Sequence, residues 1–231
     1  MSGARGRART GSRASPGARG APAALAAASL ACLLAAGCSS WLKSNLPVSQ
    51  VYVLRPTWPT MPGSAAVNPP GATATATIQV EFPIAAPGLA TDGIAVLRSG
   101  ERLDYYSAAR WAGAAPGMLQ MLAIDALRAT HRFTMVESDA GPFGSDYVLS
   151  LELNHFEAEY SSPGPPTVHV ALVATLGKRG SREVLASVAA DSKVSADADR
   201  LQAVVAAFEH ATGDALSQLA AEVPAPVLPA R

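Results

Sequence analysis

The sequence predicts an α+β fold: an antiparallel β-sheet with two amphipathic helices packed on one face, in a single domain. Three patterns carry this reading. Apolar residues recur at every second position in several runs between residue 77 and about residue 190, the period of a half-buried strand. Two other segments, 116–130 and 199–223, repeat their apolar residues at helical spacing instead. From about residue 76 onward there is no cysteine, so no disulfide and no Cys-based metal site can staple the fold. Packing alone must hold the core.

The chain opens with an Arg-rich leader, residues 1–21, in which no acidic residue occurs. A short apolar run, PAALAAASLACLLAA, follows over residues 22–36. At 1.5 Å per residue it is too short to cross a hydrocarbon core of about 30 Å as a helix. Positive charge before it and small residues after it fit a secretory signal peptide over residues 1–37. The run ends Leu34-Ala35-Ala36-Gly37-Cys38, which resembles a bacterial lipobox: cleavage after Gly37 and lipid on the Cys38 thiol. The third position before the cysteine is usually Leu, and here it is Ala35. Cys32, preceded by Ser29-Leu30-Ala31, is the weaker alternative, because its apolar run spans only a few residues. Each buried methylene contributes ~0.8 kcal/mol, so two or three acyl chains (palmitate is the expected type) hold a protein on its membrane durably. Ser39 and Ser40 follow with no Asp, which leans the address toward the outer membrane.

Residues 38–75 read as a lipidated Cys and a Pro/Ala-rich tether. Pro47, Pro56, Pro59, Pro62, Pro69 and Pro70, with Ala72-Thr73-Ala74-Thr75, resist both helix and strand. Within it Val51-Tyr52-Val53-Leu54 is β-prone and suited to join the sheet as its first strand. The domain proper is expected over 76–223. Ile78, Val80 and Phe82 alternate with Gln79 and Glu81 until Pro83 ends the strand. A hairpin follows, 94–98 and 101–106, about a Ser99-Gly100 turn. Trp111 and Pro116 lead into a helix over about 116–130, with Leu119, Leu122, Ala123, Ala126 and Leu127 in one stripe. Residues 133–137 suggest a strand.

Two long strands come next. Leu149, Leu151 and Leu153 share one face of the first, and the phase slips at His155-Phe156, the signature of a bulge or bend. The second points Val168, Val170, Leu172, Ala174 and Leu176 inward, with His169 outward. A turn at 177–181 leads to a third strand near 183–190. Asp199 with Gln202 suggests a capping box for a last helix running to about residue 223. Leu201, Val204, Val205, Phe208, Thr212, Ala215, Leu216 and Leu219 form its buried stripe, and Gly213 marks a close contact beside it. Pro224 and Pro226 stop it, leaving 224–231 as a disordered tail.

The formal net charge is zero over 18 basic and 18 acidic residues, yet no Asp or Glu precedes Glu81. Losing residues 1–37 removes five arginines, which leaves 13 basic against 18 acidic residues and about −5 net. That balance argues against nucleic acid as a partner. The four histidines, His131, His155, His169 and His210, show no pair at metal-ligand spacing. His155 and His169 can meet across adjacent strands, but surface or sheet-edge positions account for all four. There is no Gly-x-Ser-x-Gly elbow, and Gly177-Lys178-Arg179-Gly180-Ser181 lacks the spacing of a phosphate loop and reads as a hairpin turn. No catalytic residue, cofactor or metal is therefore expected.

Tyr105, Tyr106, Arg110 and Trp111 form the densest cluster of aromatic and charged residues, the types enriched at interface hot spots. They are the candidate partner interface, with Met121 and Ile124 beside them because both lie off their helix's buried stripe. The alternative for Trp111 is that it packs on the sheet edge and caps the following helix.

An ordered set of short segments carries a family resemblance: Tyr52-Val53-Leu54-Arg55-Pro56, Leu89-Ala90-Thr91-Asp92-Gly93-Ile94, Arg102-Leu103-Asp104-Tyr105-Tyr106, Ala109-Arg110-Trp111, and residues 201–219 with Val204-Val205-Ala206-Ala207-Phe208. Together they resemble the ABC-type transport auxiliary lipoprotein family over about residues 51–223. The resemblance implies a non-enzymatic accessory lipoprotein on the periplasmic side of a Gram-negative membrane. Its implied partners are an MCE (mammalian cell entry) domain protein, a permease and an ATPase that move lipids or other hydrophobic molecules between membranes. Docking, or a homo-oligomeric ring at one end of the path, is the implied role. The rival readings are an outer-membrane assembly or scaffold lipoprotein without a transporter, and a secreted hydrolase.

Overall fold

A computed structural model of the chain describes residues 49–56, 58, 76–99, 101–161, 163–181 and 183–224. The expected signal peptide, Gly37, Cys38 and most of the tether and tail lie outside the described residues. In chain order the elements are β1 (Gln50–Tyr52), β2 (Thr77–Val80), β3 (Ile84–Ala85), β4 (Gly93–Arg98), β5 (Arg102–Trp111), α1 (Ala115–Ala129), β6 (Met135–Ser138), β7 (Tyr147–Tyr160), β8 (Thr167–Lys178), β9 (Val184–Ser195) and α2 (Leu201–Glu222).

The 14-residue β7 organises the sheet, because it is long enough to take several neighbours along one edge. Its residues 147–149 pair with β2, 152–153 with β3 and 158–160 with β4, all in parallel. Its other edge runs antiparallel to β8, and β9 adds antiparallel to β8. β4 and β5 form the expected antiparallel hairpin, β1 joins β5 in parallel, and β6 joins β2 in parallel. The α+β class stands, with a mixed sheet where the sequence suggested a purely antiparallel one. The reason is physical: alternation tells which face of a strand is buried, and nothing about the direction of the strand beside it.

The core lies between the sheet and the two helices. Leu149, Leu151 and Leu153 of β7 and Val168, Val170, Leu172, Ala174 and Leu176 of β8 face it, all buried. Register shifts between Leu153 and His155, where Asn154 is the extra residue, and the expected phase slip is this bulge. Beyond it Phe156 and Ala158 take over the inward face. β5 makes a similar change at Ala108, whose φ of 55° is left-handed, so that Ala109 and Trp111 turn inward after Tyr106. Trp111 is fully buried, its ring centroid 5.8 Å from that of Phe156 and 5.2 Å from that of Phe208. The sheet-edge expectation for Trp111 is thereby corrected.

Three other expectations change. Phe82 is exposed, because β2 ends at Val80 and the chain leaves the sheet before Phe82. Ile124 is buried, because α1 meets both the sheet and α2 and so buries more than one stripe. The capping box at Asp199 is absent: Arg200 is the N-cap, without a side-chain bond, and the Asp199 carboxylate is taken by the Tyr160 hydroxyl. The far end of α2 is served from outside, since Arg132 donates to the carbonyls of Ala220 and Ala221. This satisfies acceptors that a helix terminus leaves open.

Candidate functional site

The candidate interface residues separate onto two faces of β5. Tyr106 packs against the core and Trp111 is sealed within it, so neither ring of Trp111 is offered to a partner. Tyr105 and Arg110 face the other way. Tyr105 is 45% exposed, its ring lies against Gly93 and its hydroxyl donates to the Gly88 carbonyl at 2.7 Å. A Cβ on Gly93 would meet that ring at 2.5 Å, so the glycine is what lets the tyrosine lie flat on the backbone. Arg110 pairs in register with the same Gly93 and donates to Asp92 at 3.0 Å. Both side chains are held at one spot on the outer sheet face. Met121 is also exposed, on α1.

A second constellation sits on the face of the sheet away from the helices. The bulge at Asn154 turns His155, Glu157 and Glu159 to that face at alternate positions. Across the ladder Glu157 opposes His169 of β8, and His169 opposes Lys193 of β9. The rings of His155 and His169 stack with centroids 4.0 Å apart and 16° between planes. The two histidines thus meet across adjacent strands, as their spacing allowed. His155 Nδ1 lies 2.6 Å from Glu157 Oε1, and Glu157 Oε2 accepts from the Phe156 amide. His169 Nδ1 lies 2.8 Å from Glu159 Oε1, and its Nε2 lies 2.8 Å from Asp191 Oδ2. Lys193 reaches Glu159 at 3.5 Å.

His169 and Glu157 are buried, which corrects the surface reading of His169. They are covered by the polar neighbours they bind, on a face that alternation marks as outward. The usable signal was the triplet His155-x-Glu157-x-Glu159, which places three chemistry-bearing side chains on one strand face. The histidines alone, without those carboxylates, show no ligand spacing.

A third network ties sheet to helix. Tyr160 donates to Asp199 at 2.6 Å, and its hydroxyl lies 2.8 Å from that of Tyr106. Burial first, and then the bond to Asp199, raises the Tyr160 phenol well above its ordinary range. Burial raises Tyr106 as well. The Arg98 guanidinium sits 4.7 Å above the Tyr160 ring. At the opposite end of β8, the 177–181 segment is the expected hairpin turn into β9, with Gly180 at φ 75°.

These features can be set beside known proteins. The family model for the ABC-type transport auxiliary lipoprotein component matches residues 60–223. A solved structure from Xanthomonas campestris, of the family DUF330, is 26% identical, with a TM-score of 0.64 over 74% of this chain and 93% of that one. A solved structure of an uncharacterised protein is 15% identical, with a TM-score of 0.57 over 77% of this chain and 99% of that one, and shows the fold alone. No curated protein sequence matches. The matched span takes in every element from β2 to α2, and on that ground the chain belongs to the ABC-type transport auxiliary lipoprotein family, the lipoprotein accessories of ABC transport systems.

Proposed function

We propose that this chain is a lipid-anchored docking component of an MCE-type ABC transport system. It is held on the periplasmic side of a Gram-negative membrane, with the outer membrane favoured. The observation that carries the reading is the family match over residues 60–223, placed behind a lipobox-like Leu34-Ala35-Ala36-Gly37-Cys38. Lipid on Cys38 fixes where the domain is held, and the tether sets how far it reaches. The protein itself catalyses no step: ATP hydrolysis belongs to the partner ATPase, and the lipid or other hydrophobic cargo moves through the partner MCE protein and permease. Tyr105 and Arg110 support a docking role, because each is exposed yet held by a bond to the loop that leads into β4, at Gly88 and Asp92. A pre-ordered aromatic and an arginine lose little freedom on binding.

The reading is tested by expressing the full-length protein with an MCE protein, permease and ATPase of the same genome. Co-purification of the MCE protein, weakened tenfold or more by Tyr105→Ala with Arg110→Ala, is expected. Should the anchored protein copurify with none of the three, the scaffold lipoprotein without a transporter becomes the better account. Cys38→Ser tests the anchor separately: the variant is expected to stay unlabelled by palmitate and uncut. Normal labelling and maturation would sink the anchor assignment.

A further inference from the structure

We propose that His155, Glu157, Glu159 and His169 form a binding site for a first-row divalent cation, zinc by ligand class, on the sheet face away from the helices. Each offers one ligand atom, and these four atoms all lie within 4.8 Å of one another. Ligands about 2.0–2.1 Å from a tetrahedral zinc stand about 3.3 Å apart. The four therefore need to draw together by only an ångström or so. Two imidazole nitrogens with two carboxylate oxygens suit a borderline cation, and suit calcium or magnesium poorly.

The contacts within the cluster are those a cation would take over. In His155 Nδ1···Glu157 Oε1 at 2.6 Å and His169 Nδ1···Glu159 Oε1 at 2.8 Å, a proton now bridges nitrogen and oxygen. Zinc replaces such a proton and widens each pair toward the ligand spacing. The other nitrogen of His169 faces Asp191 at 2.8 Å. A proton held there leaves the Nδ1 lone pair directed into the cluster, the carboxylate–histidine arrangement that orients metal-bound imidazoles.

Charge points the same way. Once the cation displaces the Nδ1 proton of His169, Glu157, Glu159 and Asp191 against Lys193 leave an excess of two negative charges in a partly buried patch. Uncompensated charge of that kind is costly away from water, and a dication cancels it. Glu157 and His169 are the fixed members, with side chains 5% and 7% exposed. His155 is the movable one. Its side chain is 45% exposed, free to turn its ring out of the stack so that its lone pair converges with the others.

The test uses the full-length protein in detergent, stripped with chelator and dialysed against zinc chloride at neutral pH. Metal per chain is measured by mass spectrometry, beside the variants His155→Ala and His155→Gln in the same chain. Comparing variants of the same protein cancels any zinc bound elsewhere on it. One more equivalent of zinc on the wild type than on either variant is expected, at 10 µM free zinc on the order of a micromolar Kd. A zinc-dependent rise in Tm that both variants lack is expected too, weakening as pH falls because protons compete for the ligands. Melting of the zinc-free variants near the wild type shows that they are folded, and His155→Gln serves where alanine melts early. Equal zinc on wild type and variants, no zinc on the wild type at 100 µM, or a pH-dependent Tm that zinc leaves unchanged would each overturn the site. None of these readouts depends on a transport partner.

Discussion

The hydroxyl of Tyr106 lies 2.8 Å from that of Tyr160, and Tyr160 in turn lies 2.6 Å from the Asp199 carboxylate. A carboxylate only accepts, so Tyr160 donates to Asp199 and Tyr106 donates to Tyr160. The relay joins β5, β7 and the entry to α2. Tyr160→Phe is expected to cost about 1 kcal/mol near pH 7, the usual net worth of one hydrogen bond, and to lower Tm by about 2–4 °C. The pH dependence has a definite sign. Because the folded-state phenol is raised above its ordinary value of 10.0, the folded chain keeps a proton that the unfolded chain releases. The associated stability is complete below pH 10 and is lost as pH climbs beyond it. Urea unfolding at pH 9, 10 and 11 checks this: the wild type should lose more than Tyr160→Phe over that range, and equal losses would count against the relay.

The aromatic triad at the centre predicts the largest single effect. Phe208 is fully buried, with its ring 4.9 Å from Phe156 and 5.2 Å from Trp111. Phe208→Ala removes the piece of α2 that both sheet aromatics pack on and leaves a cavity between them. A loss of about 3–5 kcal/mol is expected by chemical denaturation, against a smaller loss for Phe208→Leu. A cost under about 1 kcal/mol for the alanine would mean that α2 is not docked as described.

One turn further along α2, Thr212 offers the opposite case. Its side chain is fully buried and its Oγ1 has no hydrogen-bond partner among the described residues. Thr212→Val keeps the shape and removes a hydroxyl that water would otherwise solvate. The variant is expected to gain about 1 kcal/mol, seen as a rise of about 2–4 °C in Tm. A loss of stability instead would reveal a partner for that hydroxyl.

The strands and helices were legible because one face of each is buried against one core, and a half-buried element prints its period in the sequence. That holds for β8, whose inward set from Val168 to Leu176 came through unchanged. What failed was what period cannot encode. The parallel joins of β2, β3 and β4 to β7 depend on crossovers through distant segments. Asp199 reads as a helix cap by spacing, but Tyr160 claims it from 39 residues away. Ala108 inverts the phase of β5 with no glycine to announce it, so Trp111 looked like a surface residue. The buried polar cluster was half legible. Its three members on β7 stand at alternate positions, but its fourth, His169, comes in from the next strand. Burial of Glu157 on an outward face follows only once those side chains cover one another.

Asn154 is the one residue of β7 that the pairing with β8 does not use. It is the extra residue of the bulge, itself exposed, and its neighbours Leu153 and His155 pair with consecutive residues of β8, Leu172 and Ala171. Deleting Asn154 therefore closes the bulge into a regular ladder. Leu153 stays inward, His155 follows outward and Phe156 inward, so Glu157 and Glu159 keep the face they have now. The deletion is expected to fold, with a change within about 1 kcal/mol, and Asn154→Ala should stay within about 0.5 kcal/mol. Circular dichroism melts of the two variants check this. A face swap would bury both carboxylates in an apolar core at a cost of several kcal/mol. A loss above about 3 kcal/mol on deletion, with Asn154→Ala unharmed, would therefore mean that the second half of β7 does not hold its register on β8 without the bulge.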